Sequence, residues 1–159
     1  MDVREPSKDE RRHATGLWLE RWGFRRVVSR GRVHEPTGYP MLVAIHEGQV
    51  AGALTYEVRD GQMEAVTVDA FVDGVGAGTA LIEAAAEEAR RQGCRRLWLI
   101  TTNDNTNALR FYQRRGMRLA ALHRDAIAES RRLKPEIPET GADGIPIRDE
   151  LELELELVL

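Results

Sequence analysis

The stretch from Val66 to Glu87 constrains the fold most, because it joins a strand signal, a glycine-rich turn and a helix signal. It begins with the short apolar run Val66–Val68, which is typical of a strand. A turn with alternating glycines follows over Gly74–Gly78, and a helix is predicted to begin at Thr79. Glycines let a backbone turn tightly and bring its N–H groups close to a ligand, and a helix N-terminus favours phosphate. The turn therefore predicts a phosphate site, with close packing of strand against helix as the alternative.

Length, net charge and cysteine content limit the class of protein to which the chain can belong. The chain has 159 residues, a length that suits one domain with a buried core. Its formal net charge of −3 gives no indication of a nucleic-acid or anionic-membrane partner. No apolar run is long enough to span a bilayer, and residues 1–20 lack the apolar core of a signal peptide. The single cysteine, Cys94, excludes an intramolecular disulfide, and we expect a cytoplasmic protein.

Before the turn, the pattern predicts early helices, a loop and an antiparallel meander. Residues 1–40 are interpreted as helix and loop, because Ser7 and Glu10 have capping-box spacing and residues 30–40 are rich in glycine and proline. Turn dipeptides at Glu47-Gly48 and Asp60-Gly61 then separate three strand signals. These strands are predicted at 41–45, 50–58 and 63–68.

After the turn, helices alternate with strands. The first helical pattern ends at Gly93, and a fully apolar strand follows at Leu97–Ile100, as in the centre of a parallel sheet. The remaining predicted elements are a helix at 108–115, a strand at 117–122, a short helix at 125–134, a long loop at 135–148 and a final strand at 150–159. Long loops in compact domains are usually lids, binding walls or disordered segments.

The final segment, Glu150 to Leu159, alternates glutamate and leucine with a period of two. Such a pattern predicts a strand with one buried and one wet face. We expect the leucines to pack at the edge of the sheet or against a partner chain, and the glutamates to be exposed to solvent. A homodimer is therefore one possible assembly.

Two motifs within this order resemble those of the GNAT acetyltransferase superfamily. The first is V-x-V followed at the helix start by G-x-G, here Val66-Thr67-Val68 and Gly76-Ala77-Gly78. The second is N-x-x-A-x-x-F-Y-x-x-x-G-[FM], here Asn105, Ala108, Phe111, Tyr112, Gly116 and Met117. The resemblance is good over roughly residues 42–122. It implies an α/β fold whose central sheet is mixed and mostly antiparallel, with helices on both faces and a splayed pair of parallel strands, in a single domain over 1–159.

The resemblance also implies acetyl-coenzyme A as co-substrate. In the family, backbone N–H groups of the glycine turn hold the pyrophosphate, the pantetheine arm lies along the preceding strand, and an asparagine touches that arm. The positions of this chain that match these contacts are Val66, Val68, Val75, Gly76, Ala77, Gly78, Thr79 and Asn105.

Direct attack of an amine on a thioester needs a neutral nucleophile, a polarised carbonyl and a protonated leaving group. The resemblance implies that Tyr112 protonates the departing thiolate and that a backbone N–H near Val68 stabilises the oxyanion. Glu64, Val66 and Val68 are spaced by two residues, so in a regular strand their side chains would lie on one face. Glu64 could then point into the slot between the splayed strands and accept a proton there. The structural alternatives are a core tyrosine, a solvated glutamate and, for Asn105, a helix N-cap.

The sequence thus predicts an N-acetyltransferase that transfers an acetyl group to a primary amine of a small molecule or a peptide. The alternative is a GNAT-fold module that binds an acyl-coenzyme A without turnover. A dinucleotide-binding oxidoreductase is disfavoured because Thr79 takes the last glycine position of G-x-G-x-x-G. No Gly-Lys-Ser/Thr follows the glycines, which excludes a P-loop NTPase, and the histidines show no metal-ligand spacing.

One position departs from the family's pattern. The family usually has arginine or glutamine three residues before the G-x-G pair, and this chain has Asp73 there. A carboxylate so close to a pyrophosphate should oppose binding by Coulomb repulsion. Its side chain could instead accept a hydrogen bond from the N–H of Val75 or Gly76 and stiffen the turn.

Overall fold

The central element of the computed structural model, which describes residues 1–23 and 25–158, is a seven-stranded mixed sheet. The strands in chain order are β1 (Asp2–Arg4), β2 (Val27–Ser29), β3 (Arg32–His34), β4 (Met41–His46), β5 (Gln49–Arg59), β6 (Gln62–Ala70), β7 (Arg96–Thr102), β8 (Arg118–His123) and β9 (Glu150–Glu156). The helices are α1 (Lys8–Trp22), α2 (Ala77–Arg91), α3 (Thr106–Arg114) and α4 (Ala126–Leu133). Leu159, the end of the predicted final strand, lies outside the described residues.

The sheet has the strand order β1-β4-β5-β6-β7-β9-β8, and β2 and β3 form a separate hairpin. The pairs β1–β4, β4–β5, β5–β6 and β8–β9 are antiparallel, whereas β6 and β7 are parallel. The predicted α/β fold with a mostly antiparallel sheet and a parallel strand pair is therefore confirmed.

Contacts divide the chain into two compact units. The first contains Met1–Val27, Glu35–Leu97 and Glu156–Leu159, and the second contains Val28–His34 and Trp98–Leu155. That the chain functions as one domain stays a prediction.

In the first unit, α1 and α2 cover opposite faces of the meander. Ala14 of α1 packs in a buried cluster with Met41 and Ala53. A Cβ added to the neighbouring Gly52 would instead lie 3.2 Å from the Cβ of Ala77, at the start of α2. Because successive strand residues point to opposite faces, the two helices lie on different sides of β5.

The first forty residues contain more strand than the sequence predicted. The capping box is confirmed, since the Ser7 hydroxyl accepts from the N–H of Glu10 and the Glu10 carboxylate accepts from the N–H of Ser7. The predicted loop at 30–40 is wrong at its start, because β3 occupies Arg32–His34. The turn before it is Arg30-Gly31, with φ of 50° and 74°. Arginine is not a usual residue for such a left-handed turn position, so the hairpin carried no local signal.

In the second unit, the period-two prediction for the last strand is wrong at its first residue. Leu153 is fully buried as expected, but Glu150 is also buried, with 1% of its surface exposed. Its carboxylate accepts hydrogen bonds from the Arg30 guanidinium at 3.0 Å and from the Arg30 backbone N–H at 3.2 Å. The positive charge of Arg30 compensates the burial of this glutamate.

The long loop at 135–148 is held by polar contacts to its neighbours in the second unit. The Asn103 side chain donates to the carbonyl of Pro146 at 2.8 Å and accepts from the N–H of Arg148 at 2.9 Å. The Asp104 carboxylate accepts from the N–H of Ala142 at 3.2 Å. These contacts favour an ordered loop, and its role as a lid or a binding wall stays a prediction.

Candidate active site

The turn between β6 and α2 has the backbone that its glycines allow. Gly74 and Gly76 have φ of 77° and 80°, in the left-handed region that favours glycine. Gly76 is the N-cap of α2 and supplies no side-chain cap. The helix begins at Ala77, earlier than the predicted Thr79, so Gly78 lies within its first turn.

The geometry of this helix end suits a pyrophosphate. The N–H of Ala80 donates to the carbonyl of Gly76 at 3.1 Å, which closes the first turn of α2. The N–H groups of Ala77 and Gly78 precede that bond and have no acceptor within the helix. A Cβ built on Gly76 meets no atom within 4 Å, so the space beside the turn is open. Backbone donors, the helix dipole and open space together fit an anionic ligand.

Gly52 of β5 fixes the position of this helix end, and sequence analysis did not identify it. Its added Cβ would lie 2.8 Å from the carbonyl oxygen of Asp69 and 3.0 Å from Cδ1 of Leu81. Glycine is therefore required for α2 to approach the sheet at the start of the turn. The only local signal was a glycine inside a strand pattern, which indicates close approach of another backbone.

A β-bulge interrupts β6 at Val66. Thr67 pairs with Thr55 and Ala65 pairs with Tyr56, so Val66 has no residue of its own opposite it on β5. An extra residue of this kind bends the strand and changes which face the following side chains occupy.

The prediction that Glu64 lies on the same face of β6 as Val68 is wrong, because the bulge lies between them. Glu64 pairs with Glu57, and Val68 pairs with Leu54. Glu57 and Leu54 are three positions apart on β5, so paired residues on β6 lie on opposite faces. Glu64 therefore shares its face with Thr67 rather than with Val68. It is buried, with 5% of its surface exposed, and its role as a proton acceptor stays a prediction.

A narrow cleft lies between α1 and the face of β6 that carries Thr67. Its apolar wall includes Ala14 and Trp18 of α1, together with Met41 and Phe71. Its floor contains Thr55 and Thr67, whose hydroxyl oxygens lie 2.5 Å apart in a hydrogen bond, and Asp69. Sequence analysis did not identify Thr67 or Asp69 as lining residues of this cleft, because its walls come from separate elements.

Asp69 is a buried carboxylate that lines this cleft, with 6% of its surface exposed. Its Oδ1 accepts from the indole N–H of Trp22 at 2.7 Å and lies 3.9 Å from the Arg21 guanidinium. Burial raises the pKa of this carboxyl above its ordinary value, against the opposing effects of the Trp22 hydrogen bond and the Arg21 charge.

In the second unit, Asn105 and Tyr112 both belong to α3. Asn105 is the N-cap, and its side-chain oxygen accepts from the N–H of Ala108 at 3.2 Å, so the structural alternative for this residue is realised. That role is compatible with the predicted contact to the cofactor arm. Tyr112 is half-buried, and its ring meets that of Phe111 edge-on at 5.3 Å.

The predicted site residues fall into both units. Glu64, Val66, Val68 and the glycine turn lie in the first, whereas Asn105 and Tyr112 lie in the second. Within residues 1–23 and 25–158, no cluster of histidine, cysteine and acidic side chains could hold a metal ion. No helix described by the structure is long and apolar enough to cross a membrane.

Comparisons with known proteins agree with this geometry. Residues 3–117 match the model of the Acetyltransferase (GNAT) family. Two Bacillus subtilis (strain 168) proteins, named Uncharacterized protein YdhI and Uncharacterized protein YxbD, are 39% and 40% identical to the chain. These alignments cover 92% of the chain and 92% of YdhI, and 90% of the chain and 91% of YxbD.

The fold agrees as well. The crystal structure of a Bacillus subtilis acetyltransferase in complex with CoA superposes with a TM-score of 0.69 at 21% identity, over 99% of this chain and 97% of that chain. Together with the glycine turn and the strand order, the family match leads to one conclusion: the chain belongs to the GNAT acetyltransferase family and is an acetyltransferase.

Proposed function

We propose that this acetyltransferase takes its acetyl group from acetyl-coenzyme A and transfers it to a primary amine of a small molecule or a peptide by direct attack on the thioester. The glycine turn carries the proposal, because it combines left-handed glycines, an uncapped helix N-terminus and open space. The CoA complex of the Bacillus subtilis acetyltransferase with the same fold supports it.

Acetyl-coenzyme A, when bound, supplies the acetyl group as an activated thioester. We assign its pyrophosphate to the backbone N–H groups at the start of α2, with the arm along the bulged part of β6 and against Asn105. The residues in this assignment are Val66, Val68, Val75, Gly76, Ala77, Gly78, Thr79 and Asn105. The bulge at Val66 supports it, since bulges often redirect a strand beside an active site.

Proton transfers are assigned to Tyr112 and Glu64. The Tyr112 hydroxyl would donate its proton to the leaving thiolate, and the backbone N–H of Val68 would stabilise the oxyanion. Glu64 would take the proton that the amine loses, directly or through water. Its place on the same face of β6 as Thr67 supports this role.

The incomplete burial of α3 favours a ligand that lies against this helix. None of its residues is buried, although Ala108, Leu109, Phe111 and Tyr112 form an apolar face. An amphipathic helix normally buries such a face. We propose that the arm of the cofactor covers part of it.

The alternative of a binding module without turnover is tested by the release of free thiol from acetyl-coenzyme A in the presence of a library of amines. We expect calorimetric binding of acetyl-coenzyme A but not of NAD or ATP, and thiol release that depends on the amine. Binding without thiol release for any amine would favour the module, and no binding would overturn both readings.

We also propose the cytoplasm as the compartment, supported by a single, buried cysteine. The net charge of −3 supports a small amine or peptide rather than a nucleic acid as the acceptor. A homodimer is proposed because Leu119 and Leu122 of the edge strand β8 have more than half of their surface exposed, 53% and 56%. Sedimentation of the purified chain tests it.

A further inference from the structure

We propose that Trp22 forms a wall of the acceptor site and selects an amine that carries an aromatic ring, which stacks on the exposed face of the indole. Asp69 is the positioning residue that fixes the orientation of this indole. The inference rests on the proposed transfer to a primary amine and names the class of that amine.

Trp22, the last residue of α1, is the one aromatic residue among residues 1–23 and 25–158 that is classed as exposed, with 52% of its surface accessible. Its single polar side-chain atom, Nε1, is already bonded to Oδ1 of Asp69 at 2.7 Å. The surface that the side chain presents to solvent is therefore largely made of carbon atoms. A flat ligand that covers this surface would remove it from water.

The bond to Asp69 orients the indole, and the N–H group does not need it. An exposed indole can donate to water, so it requires no protein partner. Asp69 is 6% exposed, and a buried carboxylate costs free energy unless it is bonded or paired. The Arg21 guanidinium forms a second link beside the first, because it donates to the carbonyl of Ala70 at 2.6 Å and lies 3.9 Å from Oδ1 of Asp69. Together the two links hold the end of α1, and with it the indole, against the end of β6.

The indole lies where an acceptor could reach the cofactor. Asp69 and Ala70 are the last two residues of β6, and the glycine turn follows them directly. Asp69 shares the α1 side of the strand with Thr67, whereas α2, whose N-terminus we assigned to the pyrophosphate, covers the opposite face of the meander. An amine must approach the thioester from a side that the cofactor leaves free. Trp22 is on that side.

The charges beside the indole favour an uncharged ring over a second cation in the acceptor. Cations also bind to indole faces, but the Arg21 guanidinium lies beside the carboxylate that holds Trp22 and would repel another cation there. Asp69 does not attract one either, because its oxygen accepts from Trp22 and has Arg21 as its counter-ion. A flat aromatic ring instead gains stacking energy beyond its buried area, equivalent to roughly two- to tenfold in affinity.

The test compares phenethylamine with cyclohexylethylamine, which has the same ammonium group, linker and number of carbon atoms but a puckered ring. Calorimetry on the whole chain, with and without CoA, should show that phenethylamine binds roughly two- to tenfold more tightly. Trp22→Leu keeps an apolar side chain without a ring, so it should bind the two amines equally. The matched control is Val58→Ala, which shortens an exposed apolar side chain on β5 and should keep the preference.

Two variants of Asp69 separate the position of the ring from its contact with the ligand. Asp69→Asn keeps an oxygen that can accept from Trp22, so the preference for phenethylamine should remain. Asp69→Ala frees the indole, and the preference should fall towards that of Trp22→Leu. A preference in folded Asp69→Ala that equals that of the unsubstituted chain would show that the carboxylate does not position the ring.

Equal affinity of the unsubstituted chain for the two amines would overturn the inference, as would failure to bind either amine. A preference for phenethylamine that persists in folded Trp22→Leu would overturn it as well. Acetyl-coenzyme A affinity, measured on the same proteins, should be equal in all of them. Its absence in all of them, together with an intact preference for phenethylamine, would count against the proposed function alone.

Discussion

Replacement of Gly76 by alanine can separate backbone strain from ligand contact, because the same helix offers a matched control. Gly76 at the start of α2 and Gly93 beyond its end have φ of 80° and 76°. At both positions an added Cβ meets no protein atom within 4 Å. The 15-residue helix between them separates the two sites by roughly 22 Å.

The expected loss of stability is the same for Gly76→Ala and Gly93→Ala. A left-handed conformation costs an alanine about 1–2 kcal/mol. The lower entropy of the unfolded alanine chain returns about 0.4–1 kcal/mol of that. The net loss is about 1 kcal/mol, or a fall in Tm of roughly 2–4 °C for a chain of this size.

Affinity for acetyl-coenzyme A should distinguish the two variants. In Gly76→Ala the new methyl group enters the open space where we assign the pyrophosphate, so the dissociation constant should rise about tenfold or more, equivalent to about 1.4 kcal/mol. Gly93→Ala should bind as the unsubstituted chain does. Calorimetric titration measures the affinity, and urea denaturation checks the stability. Equal affinities in the two variants, with both folded, would refute the assignment of the turn.

Three further substitutions test other parts of the chain. Tyr112→Phe should lower kcat about 10²- to 10⁴-fold with unchanged acetyl-coenzyme A affinity, and an unchanged kcat with chemistry rate-limiting would make Tyr112 a packing residue. Glu150→Ala should lower the free energy of unfolding by about 2–3 kcal/mol, because it removes the buried partner of the half-exposed Arg30; a double-mutant cycle with Arg30→Ala that gives no coupling would contradict this. Gly141→Ala should destabilise the long loop by about 1–3 kcal/mol, since its Cβ would lie 2.0 Å from an Asp104 oxygen, and unchanged urea denaturation would show that the loop is not held there.

Those parts of the fold that depend on local signals could be predicted from the sequence. The Ser7–Glu10 capping box and the Asn105 N-cap are formed by residues three positions apart, and both are present. The glycine turn and the order of elements after it follow equally local rules. Such features need no knowledge of which segment lies across the sheet.

Features set by distant partners could not be predicted. The face on which Glu64 lies depends on a bulge that is defined only by the pairing of β6 with β5. The burial of Glu150 depends on Arg30, which is 120 residues away in sequence. The cleft at Asp69 depends on α1, whose tryptophans give no indication of which strand they cover. In each case an alternating pattern indicates two faces but does not identify the neighbour.

The last prediction concerns the charge of Asp73. Its side chain was expected either to repel the pyrophosphate or to accept a hydrogen bond within the turn, and the structure excludes the second. Asp73 is exposed, and among residues 1–23 and 25–158 it makes no hydrogen bond or ion pair. The proposed bond to Val75 or Gly76 is therefore not formed, and repulsion remains. At about 7 Å, the span of a four-residue turn, one phosphate charge costs about 0.6 kcal/mol in water.

Two pyrophosphate charges would together weaken binding about sevenfold at low salt, and about twofold at physiological salt, where screening acts over about 8 Å. Asp73→Asn should tighten acetyl-coenzyme A binding by these factors, and Asp73→Arg should tighten it further by adding an attraction of similar size. Asp9→Asn on α1 controls for a change in net charge. Dissociation constants at two salt concentrations decide the matter: weaker binding by Asp73→Asn would show that the carboxylate organises the turn, and a gain that is independent of salt would show that it does not act through charge on the phosphates.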